Sequence, residues 1–271
     1  MIKQAIIPLA GLGTRLLPLT SVFPKELLPI NGKPGIEYIL DECIEAGVSE
    51  IIFIISKKKE MIRKYFNNDN FYKSIIKKKK DPRIIKEYKK ILFFKKKIKF
   101  VYQNKPMGTG DAVLKTKKFI KNNYFLMLLP DDLIIKKNFS KDMIKIHKKF
   151  KGSVMASMKV KKNNVDRWGI YSINKYFDKA NFKISDVIEK PNAKDAPSNN
   201  AVIGRYILSK KIFNYLKNQK KGKGDEIHIT DAIRRMILDQ NLFIGHRFEG
   251  NYLDCGSMNG YISSGIKISK I

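Results

Sequence analysis

Apolar positions in this chain come in short runs, separated by glycine, proline or lysine-rich stretches, and the runs switch between two periods. Residues 4–9 (QAIIPL) form a nearly continuous apolar run that stops at Ala10-Gly11, the pattern of a buried strand opening into a glycine loop. After Lys33-Pro34 the period changes. Ile36, Ile39, Leu40, Cys43 and Ile44 recur at helical spacing, and Gly47 closes the segment. Residues 50–56 (EIIFIIS) are β-branched and apolar again, a second buried strand. Strand, loop, helix and strand in this order predict the start of a parallel α/β sheet.

The same reading continues down the chain. Residues 57–99 are helical in tendency and very basic, which predicts an exposed helical layer, and residues 98–103 read as a strand. Gly108 to Gly110 is a glycine turn with a helix over 111–120 after it. Residues 124–129 are a strong buried strand that runs into Pro130-Asp131-Asp132. Further strands are expected at 153–160, 169–173, 184–189, 201–208 and 243–248. Helices are expected at 210–216, 230–240 and, with glycine interruptions, 257–270. With no internal repeat and no long linker, the pattern predicts one α/β domain spanning 1–271, its later β-rich part packed on the sheet.

Composition narrows the class. A 271-residue chain with 43% hydrophobic residues can bury a sizeable core. Its longest apolar runs are far too short to cross a bilayer, and the first residues lack the pattern of a signal peptide, so a cytoplasmic protein with no membrane partner is expected. Two cysteines, Cys43 and Cys255, lie far apart without CxxC spacing, which argues against a disulfide framework or a structural zinc site. His147, His228 and His246 do not pair at metal-ligand spacing and read as surface or packing residues.

The formal charge of +30 raises the question of nucleic-acid binding. Much of it lies between Lys57 and Lys99, where 16 Lys and 2 Arg face 4 acids. Over the whole chain Lys outnumbers Arg 47 to 8. A dedicated nucleic-acid surface draws on Arg for bidentate contacts. Lysine spread over solvated positions, together with frequent Ile and Asn, is instead the profile of a coding bias toward A and T. Charge alone does not name a function.

Candidate chemistry begins at the first loop, Leu9-Ala10-Gly11-Leu12-Gly13-Thr14-Arg15. Glycines after a strand let backbone N–H groups approach phosphate oxygens. A P-loop would need a following Lys-Ser/Thr pair, and a dinucleotide fingerprint would need glycine where Leu16 stands. Arg15 and Lys25 beside the loop suit a triphosphate whose α-phosphorus is attacked, because charge builds on its oxygens. A bare GxG pair is equally compatible with a structural turn.

The wider motif set is more specific. Ala10–Arg15, Leu17-Pro18, Pro24-Lys25-Glu26, Leu28-Pro29 and Lys33-Pro34 together resemble the signature of bacterial UTP–glucose-1-phosphate uridylyltransferases, also called UDP-glucose pyrophosphorylases. They are a branch of the sugar nucleotidyltransferases. Other branches, including thymidylyl enzymes, usually carry two adjacent glycines where this chain has Ala10-Gly11; the Pro-Lys-Glu triplet leans the same way. Further blocks follow in order, among them Gly108-Thr109-Gly110, Leu129-Pro130-Asp131, Glu189-Lys190-Pro191, Gly224-Asp225-Glu226 and Asp254-Cys255-Gly256. The resemblance covers nearly the whole chain, which stops sooner after the last block than family members often do.

The resemblance implies a Rossmann-like three-layer α/β fold with a central mixed, mainly parallel sheet flanked by helices. A nucleotide-binding half would span about 1–135 and a sugar-phosphate half about 136–271. It implies a Mg²⁺-dependent transfer of UMP from UTP to glucose 1-phosphate, with diphosphate released. Arg15 and Lys25 would neutralise the triphosphate, and Lys190 would hold the sugar phosphate. Glu189 would bind sugar hydroxyls, and Gly169 would meet the sugar through its backbone. Gln103 would read the uracil edge, which its amide matches by donating and accepting at once. Ala10, Gly11, Gly13 and Gly108 would contact base, ribose or phosphate through the backbone, with Glu26 nearby. Asp131 would ligate Mg²⁺, Asp254 would be a second metal carboxylate, and Asp132 is either a ligand or a turn residue. A homodimer or homotetramer is expected. The rival readings are a sister enzyme that uses dTTP or another sugar phosphate, and a polyanion-binding protein on an inactive enzyme fold.

Overall fold

The computed structural model describes residues 2–135 and 137–270. The apolar run at the N-terminus forms β1 (Gln4–Pro8), the centre of the first half. A tight hairpin, β2 (Pro29–Ile30) and β3 (Lys33–Pro34), leads into α1 (Gly35–Glu45) and β4 (Glu50–Ile55). The basic segment folds as α2 (Glu60–Asn67), α3 (Asp69–Lys79) and α4 (Pro82–Lys95), then β5 (Ile98–Tyr102). Next come α5 (Thr109–Leu114), β6 (Tyr124–Leu128), β7 (Asp132–Ile135) and α6 (Phe139–Phe150). The second half contains β8 (Ser153–Lys159), β9 (Gly169–Tyr176), β10 (Asn181–Glu189), β11 (Asn200–Ser209), α7 (Ile212–Lys217), α8 (Ile229–Leu238), β12 (Phe243–Arg247), β13 (Asn251–Asp254) and α9 (Met258–Ser269).

Among the described residues, nine strands make one sheet in the order β5-β4-β1-β6-β11-β8-β12-β10-β9. It is mixed, as expected. The pairs β5–β4, β4–β1, β1–β6 and β8–β12 are parallel, and the others are antiparallel. Following those pairings across the sheet, only β10 and β11 run against the rest.

The alternation of side chains across the pleat divides the core into two layers. Ala5, Ile7, Ile51, Phe53, Leu126 and Leu128 face one side, where α1, α2, α4 and α6 pack. Ile6, Ile52, Ile54, Phe125 and Met127 face the other, against α5, α7 and α8. The result is three layers, helix–sheet–helix. The basic layer is exposed as expected: α3 buries nothing, while α2 sinks Ile62 and Phe66 and α4 sinks Ile91 and Phe94.

Some elements differ from the sequence expectation. The helix expected over 111–120 is α5 alone and ends at Leu114. Beyond it the chain turns into β6, and the Gln4 side chain accepts hydrogen bonds from the Lys121 and Asn122 N–H groups. Helix α6 was not expected, although Phe139, Met143, Ile146 and Phe150 recur at helical spacing; Asn138 caps it by accepting from Lys141 N–H. The short strands β7 and β13 pair antiparallel with Asp254 opposite Asp132, a non-local contact that neither segment reveals alone. Cys43 and Cys255 are buried free thiols. Among the described residues, no helix is long and apolar enough to cross a membrane.

Candidate active site

Strands β4 and β5 extend the sheet to one side of β1, and β6 opens the other, so the direction of winding reverses between β1 and β6. Ligand crevices form outside the carboxyl ends of strands at such a switch point. The glycine loop leaves the end of β1 there, and Pro130-Asp131 leaves the end of β6. Gly13 has φ +71°, and Thr20 closes the loop by donating from Oγ1 to the Gly13 carbonyl at 2.8 Å.

A cavity of about 420 Å³ lies between these loops and is lined by Ala10, Gly11, Gly13, Lys25, Glu26, Gln103, Gly108 and Asp131. Gln103 sits just past β5. Its amide nitrogen donates to the Gly108 carbonyl at 3.0 Å and to Asp111 at 2.8 Å, so the internal bonds use the donor side of the amide. Gly108 has φ +92°, and a Cβ there would lie 2.6 Å from the Ile227 carbonyl. Only glycine suits that backbone and that close approach.

Charge converges on Asp131. Lys25 Nζ lies 2.6 Å and Arg15 Nη2 3.4 Å from its Oδ2. Burial alone would push the Asp131 carboxyl up, but the Lys25 cation and its hydrogen bond, with Arg15, outweigh that and hold it below the usual range. Lys25 mirrors this: burial works against its charge, and the Asp131 and Glu26 carboxylates raise it above the ordinary lysine value. Asp132 behaves differently. Burial, then repulsion from Asp131, pushes its carboxyl up to about 6. Its oxygens accept from Gly204 N–H and the Tyr252 hydroxyl, each at 2.6 Å.

A second cavity of about 710 Å³ adjoins the first and shares Asp131 with it. Arg15, Gly169, Glu189, Lys190 and Asp254 line it. Gly169 and Glu189 are paired residues on β9 and β10, and a Cβ on Gly169 would sit 3.1 Å from Glu189 Oε2. The carboxylate therefore lies over bare backbone. Lys190 adopts φ +47°, which turns the chain as it leaves β10, and its N–H donates to the Trp168 carbonyl at 2.9 Å. Trp168 itself packs edge-on against Tyr252 with ring centroids 5.9 Å apart.

Oxygen donors suited to a hard cation approach each other beside Gly256. A Cβ there would be 2.7 Å from Asp131 Oδ2, 3.1 Å from Asp254 Oδ1 and 2.7 Å from Arg15 Nη2, so two carboxylates and the guanidinium converge on one point. Among the described residues, no cluster of three or more His, Cys, Asp or Glu side chains could hold a metal. Two carboxylates are nevertheless what Mg²⁺ uses when phosphate oxygens and water complete its shell.

All thirteen residues singled out from the sequence line one of these two cavities. Sequence reasoning assigned no role to Thr14, Thr109 or Glu226, which line both, although Glu226 lies in a recognised block. His228, read as surface or packing, lines the second cavity. Lys59 was hidden in the basic run: its Nζ reaches Glu26 Oε1 and Oε2 at 2.7 and 2.9 Å, a buried pair.

The nucleotidyl transferase family profile matches residues 4–270. A UTP–glucose-1-phosphate uridylyltransferase of Staphylococcus epidermidis is 36% identical over 98% of this chain and 92% of its own length. A crystal structure of a UDP-glucose pyrophosphorylase complexed with UDP-glucose superposes with a TM-score of 0.87 at 36% identity, covering 100% of this chain and 99% of the other. A UTP-bound UGPase from Acinetobacter baumannii gives a TM-score of 0.90 at 32% identity, over 99% and 93% of the two chains.

Proposed function

This chain belongs to the nucleotidyl transferase family, among its UTP–glucose-1-phosphate uridylyltransferases, and from that premise we propose how its two cavities carry out the reaction. The first takes UTP and the second takes glucose 1-phosphate. A phosphate oxygen of the sugar phosphate attacks the α-phosphorus of UTP in line. The new O–P bond forms as the bond to the β-phosphate oxygen breaks, giving UDP-glucose and diphosphate. On this reading the nucleotide half is about 1–135 and the sugar-phosphate half about 136–271, within one domain, with Glu226 and Arg15 each reaching across to the other half's cavity.

The observation that carries this reading is the position of Asp131 on the wall shared by both cavities, with its partner Lys25 lining the first and its partner Arg15 lining the second. Two polyanions must be brought together there, and fixed cations cancel their repulsion without reorganising. Lys25 and Arg15 neutralise the triphosphate, and Lys190 holds the sugar phosphate. Glu189 accepts from sugar hydroxyls beside Gly169. Gln103 accepts the uracil N3–H through Oε1, its amide nitrogen being committed internally. Ala10, Gly11, Gly13 and Gly108 line the base, ribose and phosphates with backbone. Asp131 and Asp254 would hold Mg²⁺, which when bound neutralises phosphate charge and fixes phosphate orientation.

Uracil and thymine share the N3–H edge, so the contact to Gln103 does not by itself separate UTP from dTTP. A cytoplasmic setting fits two buried free thiols. A homodimer or homotetramer would cover exposed apolar residues such as Ile262 and Ile266 on α9. Purified protein with UTP, glucose 1-phosphate and Mg²⁺ should release diphosphate only when both substrates are present. Asp131→Asn should lower that turnover at least about 100-fold with the fold intact. Wild-type turnover in the variant would remove Asp131 from the reaction, and turnover with dTTP alone would move the chain to a sister activity.

A further inference from the structure

One pair of buried charges stands outside the roles assigned above. Lys59 follows β4 as the third residue of the run Lys57-Lys58-Lys59. Lys57 and Lys58 are exposed, whereas Lys59 is 6% exposed and turned inward. Its Nζ donates to both oxygens of Glu26, which is 3% exposed. Taking two charges out of water is costly unless each satisfies the other. This chain has 47 lysines, nearly all placed where water solvates them, so a buried one at the nucleotide cavity calls for a specific use.

Glu26 supplies it. It follows Lys25 on the same tight turn and lines the cavity assigned to UTP. At this wall Lys25 pairs with Asp131 and Lys59 with Glu26, while Glu226 adds a third carboxylate to the lining. Without Lys59, Glu26 becomes an unpaired buried carboxylate facing a triphosphate. The geometry points to Lys59 as a positioning residue that acts through Glu26: it neutralises that carboxylate and anchors the turn presenting Lys25, so that the wall accepts a nucleoside triphosphate. This rests on the assignment of UTP to the first cavity. Two further facts fit. The Glu26 charge supports the Lys25 cation, and Glu26 opposes the burial that, with Lys25 nearby, holds Lys59 below the ordinary lysine value.

The test measures UTP affinity by calorimetry on the full chain with Mg²⁺, alongside the KM for glucose 1-phosphate. Wild-type protein that binds no UTP would fail the functional assignment itself. If wild type binds, Lys59→Met should weaken UTP at least about tenfold, the size expected when one partner of a buried pair is left charged. The KM for glucose 1-phosphate should move less than about twofold, since no charge beside the second cavity changes. Adding Glu26→Gln to Lys59→Met should recover most of the loss. If Lys59→Met does not fold, Lys59→Arg should keep UTP affinity within about threefold, because it keeps the charge. Equal UTP affinity in wild type and Lys59→Met, equal weakening of both substrates, no recovery in the double variant, or a tenfold loss in folded Lys59→Arg would each overturn the proposal.

Discussion

Replacing Asp132 with Asn should stabilise the protein at neutral pH, although it alters a half-buried carboxylate that lines the second cavity. Asp132 opens β7, where Oδ2 accepts from Gly204 N–H and Oδ1 from the Tyr252 hydroxyl. Burial, reinforced by Asp131, raises its carboxyl to about 6. An unfolded chain has that pKa near 3.9, so between those values the folded state holds a proton that the unfolded state has released. The Asp132 contribution is therefore fully present below about pH 4 and is lost as pH rises through about 6. Two pH units correspond to about 3 kcal/mol at pH 7. Asparagine avoids this cost while keeping both contacts. Its Oδ1 can accept from Gly204 N–H, and its amide nitrogen can donate to the Tyr252 oxygen, which accepts as well as donates. Urea unfolding followed by circular dichroism, in EDTA and from pH 4 to 8, would compare the two proteins. Asp132→Asn should exceed wild type by up to about 3 kcal/mol at pH 7, with the gap closing toward pH 4. A less stable variant at pH 7, or a gap that ignores pH, would refute the reasoning.

Two other perturbations test the neighbouring framework. Gly256→Ala places a methyl 2.7 Å from both Asp131 Oδ2 and Arg15 Nη2; turnover should drop at least about tenfold while unfolding free energy changes by less than about 1 kcal/mol, because flexible side-chain ends can yield. A stability loss with turnover intact would contradict it. Arg205 is fully buried and donates to both Glu42 oxygens and to the Leu129 and Gly204 carbonyls. Arg205→Met should cost about 3–5 kcal/mol in urea unfolding by leaving Glu42 buried and unpaired, and Arg205→Met/Glu42→Leu should recover part of that.

The sequence made the first half of the sheet legible because β1, β4 and β6 are buried on both faces. Their runs are continuous, short and bounded by glycine or proline, which is what parallel central strands require. The candidate residues were legible for another reason: they sit in ordered blocks whose glycines and carboxylates have few alternative uses. Lysine abundance hid the rest. At Lys59 it masked one buried ammonium among solvated neighbours. Strands β7 and β13 are four residues each and owe their existence to pairing across 122 positions, as Asp132 with Asp254 shows. No local window contains that information.

That pairing also explains why the second half of the chain must close back on the first. Asp131 follows the last strand of the parallel half, and Asp254 ends a strand from the far end of the chain. Neither carboxylate alone makes a cation site. The β7–β13 ladder brings them to one space, and the Cys255 N–H fastens the junction by donating to the Asp131 carbonyl at 2.7 Å. Around the same point Arg15 and Lys25 already share Asp131 as counter-ion before any polyanion arrives. Lys25 is thus held by an internal partner, and on the proposed assignment an incoming triphosphate would exchange one ion pair for another without having to order that side chain. The parallel half supplies the crevice and the glycine loop, and the returning strands supply the second carboxylate and the second cavity. Joining two anions needs both, which is why thirteen residues drawn from Ala10 to Asp254 converge on a single cleft.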